Sequence, residues 1–203
     1  MKIGILISGR GSNMLAITEA VKSGQIPNSE VTVVISDKTG AEGLEKAQKH
    51  GIKTVVIARN KKAREEHDAE IIAELKKRNV ELVCLAGYLR LLSKDFIRAF
   101  PDKIINIHPS LLPAFPGLDA QQQAIDYGVK LTGCTVHFVD ERLDHGAIIM
   151  QQAVEVADDE TAESLAAKIL KLEHALYVKA IKCLAEGKIR LEGRKVLIES
   201  ALT

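Results

Sequence analysis

Neither acid nor base dominates this chain: 28 basic and 27 acidic side chains leave a formal net charge of +1. That balance gives no electrostatic reason to expect nucleic acid or a membrane surface as a partner, so any anionic ligand must be held by local groups. Cysteine is scarce. Cys84, Cys134 and Cys183 lie far apart within hydrophobic segments, without the paired spacing of a zinc site or a disulfide framework. They read as reduced core residues, and the expected location is cytoplasmic. Long hydrophobic runs are also missing. The apolar stretch in "MKIGILISGRGSN" is too short to span a bilayer, and polar, glycine-rich residues stand where a signal peptide would carry its small-residue cleavage site. No repeat, low-complexity tract or linker breaks the sequence, so one domain over residues 1–203 is expected.

What is present is an ordinary globular composition, 46% apolar and 27% charged, over 203 residues, long enough for one substantial core. Short apolar runs at Lys2 to Ile7, Val31 to Ile35, Lys53 to Ile57, Glu81 to Ala86 and Lys103 to Ile107 read as strands. Amphipathic stretches alternate with them: "SNMLAITEAVKSG", "AEGLEKAQKHG", "KAREEHDAEIIAELKKRN" and a short one around Lys94 to Arg98. This alternation predicts a parallel sheet covered by helices on both faces. Later the pattern changes. "LTGCTVHFVD" and "AIIMQQAVEVA" flank the turn-like "ERLDHG" and suit an antiparallel hairpin. A long helix follows from Thr161 to about Leu184, with Leu165, Ile169, Leu172, Leu176 and Ile181 on its packing face. The tail "KIRLEGRKVLIES" reads as two short strands around Glu192 and Gly193. The expected class is α/β: a mostly parallel, Rossmann-like sheet flanked by helices, with an antiparallel C-terminal portion.

Two stretches carry chemistry. "ISGRGSNM" joins the first strand to the first helix, where a parallel sheet places an anion site. Gly9 and Gly11 permit positive torsions or close approach, while Ser12 and Asn13 offer capping and polar groups. The dinucleotide fingerprint is incomplete, since Met14 stands at its third glycine, although Asp37 ends the second strand where a ribose-binding acid would lie. A single phosphate suits this loop better than a pyrophosphate; a capped turn without ligand is the plain alternative.

The second stretch is "INIHPSLLPAFPG". Asn106 and His108, two apart at the end of the fifth strand, share one side of an extended backbone, and Pro109, Pro113 and Pro116 restrict the loop beyond them. A carboxamide N–H and an imidazolium N–H can both donate to one oxyanion; the plain alternative is a satisfied histidine beside a turn-closing asparagine. Asp144, in "VDERLDHG", would favour the imidazolium if the fold brought it to His108. A metal held by His108, His137, Asp140, Asp144 and His145 competes, but the spacing matches no zinc motif. His50 and His67 read as solvated helix residues.

Together "ISGRGSN", "LAGYLRLLS", "INIHPSLLPAFPG" and "CTVHFVDERLDHGAII" resemble the phosphoribosylglycinamide formyltransferase family, folate-dependent enzymes of purine synthesis, collinearly from Lys2 to Glu173 and His174. "NIHPSLLP" alone is shared with methionyl-tRNA formyltransferase and formyltetrahydrofolate deformylase. The resemblance implies a formyltransferase fold, with a phosphate-binding half over about residues 1–100 and a folate-binding, catalytic half over about 101–203. It implies 10-formyltetrahydrofolate as co-substrate, phosphoribosylglycinamide as acceptor and no metal; the oligomeric expectation, monomer or homodimer, stays open. Asn106, His108 and Asp144 would be catalytic. Gly11, Ser12, Asn13 and Glu173 would bind the glycinamide ribonucleotide; Arg64, Leu89, Arg90, Leu91, Leu92, Asn106, Asp140 and Glu141 would meet the folate. The residues alone leave plain alternatives open: Arg64 as a surface charge paired with Asp68, Leu91 and Leu92 as core, and Glu173 as a solvated helix acid. The deformylase would carry an extra N-terminal domain, and the tRNA-modifying relative an extra C-terminal one. Asp119 stands where some relatives have histidine and is given no catalytic role. Leu170 replaces a polar phosphate contact of some relatives.

Overall fold

The computed structural model describes residues 1–199; residues 200–203, among them the last residue of the tail quoted above, lie outside it. The chain forms two compact units, Met1–Asn106 and a second that begins at Ile107.

Five parallel strands, β5 crossing the boundary between the units after Asn106, lie in the order β3-β2-β1-β4-β5. They are β1 (Lys2–Ile7), β2 (Glu30–Ser36), β3 (Thr54–Val56), β4 (Leu82–Leu85) and β5 (Ile104–His108), each within one residue of the span expected at either end. Consecutive residues Ile5, Leu6 and Ile7 are fully buried, so β1 is covered on both faces and has no polar alternation. Between the strands run α1 (Ser12–Lys22), α2 (Glu42–Lys49), α3 (Arg64–Lys77) and α4 (Lys94–Ala99). α4 is short but well started: Ser93 Oγ accepts the Phe96 N–H, and the Ser93 N–H donates to Asp68. The strand order reverses beside β1, whose neighbours are β2 and β4. At such a reversal the carboxyl ends of the strands leave a crevice for ligands.

The second unit contains α5 (Ala120–Tyr127), β6 (Leu131–Phe138), β7 (Ile148–Glu155), α6 (Ala162–Ala185), β8 (Ile189–Glu192) and β9 (Lys195–Ile198). β6 and β7 pair antiparallel, as do β8 and β9. α6 starts in a capping box between Thr161 and Ser164 and packs on β6 and β7, burying Leu165, Ile169, Leu176 and Ile181; Leu172 is only half-buried. α5 was not expected. Its sequence, AQQQAIDY, buries only Ala120 and Ala124, which leaves no apolar period to read. Gly146 is obligatory in the hairpin, because a Cβ there would lie 1.8 Å from the Phe138 carbonyl oxygen.

Candidate active site

β5 delivers Asn106 half-buried and His108 buried, two residues apart and therefore on one side of the strand. Beyond them the proline loop is tied down from the hairpin. Thr135 Oγ1 donates to the Ser110 carbonyl at 2.7 Å and accepts the Leu112 N–H at 3.0 Å. Gln151 Nε2 donates to the Leu112 carbonyl at 2.9 Å, and the Leu112–Pro113 bond is cis. The hydrogen bonds from Thr135 and Gln151 hold the loop beside His108, whose Nε2 lies 2.9 Å from the Phe115 carbonyl oxygen. A carbonyl only accepts, so Nε2 carries a proton.

The other ring nitrogen meets the later acid. His108 Nδ1 is 3.5 Å from Asp144 Oδ2, with both side chains almost enclosed. Asp144 has φ +47°, a left-handed conformation uncommon for aspartate, and is fixed in it by the Gly117 N–H, which donates to Oδ2 at 2.8 Å. Its Oδ1 faces a third group, His137 Nε2, at 3.7 Å. His137 Nδ1 donates to the Phe138 carbonyl at 2.7 Å. Burial lowers the His137 pKa, outweighing the Phe138 carbonyl and the Asp144 charge, which act the other way. His137 is therefore held towards the neutral state, with its Nε2 lone pair turned to the carboxylate. The sequence placed His137 among apolar neighbours and joined it to His108 and Asp144 only as a candidate metal ligand; its i+7 relation to Asp144 across a turn carried no signal of the direct contact.

The neighbouring acids do other work. Asp140 accepts from His145 Nδ1 at 2.8 Å and from the Arg142 N–H. Partial burial raises its pKa, but these bonds and the Arg194 charge outweigh it and hold the carboxyl below its usual value. Glu141 is exposed. Glu173, on α6, is buried rather than solvated. Burial, with the Glu173 charge, pushes the Cys134 thiol up to about 12, so Cys134 stays a protonated core residue. Cys183 is only half-buried, and all three cysteines are free thiols. Among the described residues no group of three or more His, Cys, Asp or Glu side chains is arranged to hold a metal ion.

In the first unit, Gly11 caps α1 with φ +69°, and a Cβ on it would sit 2.7 Å from Gly43 Cα; only glycine fits. Ser12 and Asn13 form the first turn of α1, the kind of terminus that receives anions. A cavity of about 500 Å³ borders this loop, lined by Ser8 to Arg10 and Asp37 to Glu42 among others. A second, of about 190 Å³, is lined by Arg59, Arg64, His67, Asp68, Leu89, Arg90 and Leu91. Arg64, Leu89, Arg90 and Leu91 thus gather round one space. Leu89 and Leu91 are exposed and not core, while Leu92 is half-buried outside that lining. Arg64 has no salt-bridge partner among the described residues, and the alternative pairing with Asp68 does not form: Asp68 is buried and accepts the Ser93 N–H. His67 is also buried, against the expectation of a solvated residue, because its Nε2 satisfies the Ile57 carbonyl at 2.7 Å.

No helix among the described residues is long and apolar enough to cross a membrane. The formyl transferase family model matches residues 1–181. The trifunctional purine biosynthetic protein adenosine-3 of Chironomus tentans is 44% identical over 195 residues, which make up 95% of this chain and 14% of that relative; the chain spans only that small part of it. Phosphoribosylglycinamide formyltransferase of Escherichia coli (strain K12) is 40% identical over 192 residues, 94% of this chain and 90% of that protein. The crystal structure of glycinamide ribonucleotide transformylase 1 from Symbiobacterium toebii matches with a TM-score of 0.96 at 48% identity, covering 98% of this chain and 94% of that one. With a family model matched over most of its length and relatives of this similarity end to end, the chain belongs to the formyl transferase family.

Proposed function

We propose that this chain is a cytoplasmic enzyme that transfers the formyl group of 10-formyltetrahydrofolate to the amine of phosphoribosylglycinamide, giving the N-formyl product and tetrahydrofolate in purine synthesis. The observation that carries this reading is the enclosed set of His108, Asp144 and His137 at the end of the strand that also bears Asn106.

The amine attacks the formyl carbon, and the carbonyl oxygen becomes an oxyanion. Asn106 and His108 are the donors that stabilise it. Both His108 nitrogens are engaged in the absence of substrate, and the 3.5 Å contact to Asp144 is longer than the 2.9 Å bond to Phe115. Nδ1–H is accordingly the donor that turns to the oxyanion, since catalytic hydrogen bonds commonly tighten only once substrate is bound. An amine with a pKa of about 8 is only about one-tenth neutral at pH 7, so a proton acceptor is needed as it attacks. Asp144 takes that proton, directly or through water, and returns it to the leaving folate nitrogen. The lone pair of His137 Nε2 accepts a hydrogen bond from Asp144 while the carboxyl is protonated. Gly11, Ser12 and Asn13 hold the ribose phosphate and Glu173 the ribose. Arg64 and Leu89 to Leu92 meet the folate, as do Asp140 and Glu141.

The test is folate release from 10-formyltetrahydrofolate with and without phosphoribosylglycinamide. Release that requires the glycinamide and yields its formyl derivative is expected. Release at the same rate without it would make the protein a hydrolase of the same donor.

A further inference from the structure

The strands of the β8–β9 hairpin have four residues each, too short a ribbon to be stable alone in water. β9 is packed against β7, which steadies it. Glu192 pairs with Lys195, so Gly193 and Arg194 form the tip, with Gly193 at φ +59°. Arg194 is exposed, yet its guanidinium is not left to solvent: Nη2 donates to the His145 carbonyl at 2.8 Å, back across 49 residues of sequence. Nη1 lies 3.1 Å from both ring nitrogens of His145. The in-plane directions of the two imidazole nitrogens diverge, so a group equidistant from them rests on the face of the ring, where a planar guanidinium stacks well.

In its own plane the same ring reaches the start of the loop. His145 Nδ1 donates to Asp140 Oδ2 at 2.8 Å, and Asp140 Oδ1 accepts the Arg142 N–H at 2.8 Å. Arg194 therefore holds His145, and His145 holds Asp140, so the two ends of the loop are tied together from outside it. Asp144 lies between those ends, next to His145, in a left-handed conformation that persists only where its surroundings enforce it. The Gly117 N–H fixes its carboxylate; Arg194 fixes the backbone that follows. Attraction between the exposed Arg194 and the Asp140 charge is screened and adds little. The carbonyl bond and the stack carry the restraint.

We propose that Arg194 is a positioning residue for formyl transfer: from the hairpin tip it clamps the loop from Asp140 to His145 and so keeps the Asp144 carboxylate aimed at His108. This rests on the catalytic reading of Asp144 above, and it gives the C-terminal hairpin a part in the reaction. Arg194 touches no substrate; its effect passes entirely through the loop.

Two measurements on the full chain test it. The first needs no substrate: trypsin cleavage of the native protein after Arg142, an exposed residue inside the clamped loop, which requires the loop to open. Arg194→Ala is expected to speed this cleavage by about tenfold or more, the scale of a lost hydrogen bond from a charged donor, with the urea midpoint unchanged. The second is turnover in the folate-release assay. Arg194→Ala is expected to lower kcat by at least about fivefold, to leave KM for phosphoribosylglycinamide within about twofold, and to cause no further loss when added to Asp144→Asn. Arg194→Lys, which keeps the charge but not the planar fork, is expected to show the same changes at smaller size and serves should Arg194→Ala fold poorly. Cleavage at the wild-type rate would mean that the loop is not clamped and would overturn the proposal. An undiminished kcat, or an equal further loss on the Asp144→Asn background, would overturn it too, by separating Arg194 from Asp144. A wild type that releases no folate with both substrates present would bring down the formyl-transfer reading and this one with it, a result told apart from the others by unaltered protection from trypsin.

Discussion

Asp144 Oδ2 lies 3.5 Å from Nδ1 of His108, on a ring whose Nε2 already donates to the Phe115 carbonyl. The two residues are separated by the proline loop, α5 and the whole of β6, so only the folded chain makes them partners. A carboxylate and an imidazole in such an arrangement act as one unit. His108→Ala and Asp144→Asn combined are therefore expected to be strongly non-additive, the double variant turning over no more than a few-fold slower than the slower single one. Multiplying losses in the folate-release assay would show that the two act separately.

His137 gives the site a dependence on pH. Burial lowers its folded-state pKa below the ordinary 6.5, so between those values the unfolded chain binds more protons than the folded one. Stability from this residue is fully present above about pH 6.5 and is lost as pH falls towards the lowered value. His137→Asn is expected to flatten part of the acid-side loss in urea midpoints measured from about pH 7.5 to about pH 5. Parallel curves for wild type and variant would assign the acid sensitivity elsewhere.

Thr135 is the peg of the proline loop, bonded through one hydroxyl to Ser110 and Leu112. Thr135→Val keeps the shape and strands both buried backbone groups. A destabilisation of about 1–3 kcal/mol is expected from urea unfolding, together with a fall in kcat as His108 loses its support. Unchanged values of both would relieve Thr135 of this role.

Glu173 is buried on α6, where a carboxylate is rarely kept without a purpose. Glu173→Gln is expected to raise KM for phosphoribosylglycinamide by about tenfold or more and to leave KM for the folate within about twofold. A rise confined to the folate would reverse that assignment.

The parts of the fold that could be read in advance are those with a strong period or strong punctuation. The five parallel strands announced themselves as apolar runs, and Thr161 marked the start of α6 by its cap. α5 could not be read, since its run of three glutamines and only two buried alanines leave no apolar stripe of the kind normally sought. The Asn-x-His pair and Asp144 stood out by residue type and loop context. What stayed hidden were partnerships made only by tertiary packing: His137 with Asp144, Asp37 with Arg90, and His67 with the Ile57 carbonyl. In each a titratable side chain on an ordinary helix, strand or turn finds its partner through a distant crossover or a turn, and local sequence carries no record of that.

Single-turnover formyl transfer by His108→Ala, with both substrates saturating, bears most directly on the role of this histidine. A rate at least about a hundredfold below wild type is expected for a lost oxyanion donor, with both substrates still bound. A near-normal rate would place the chemistry on other residues.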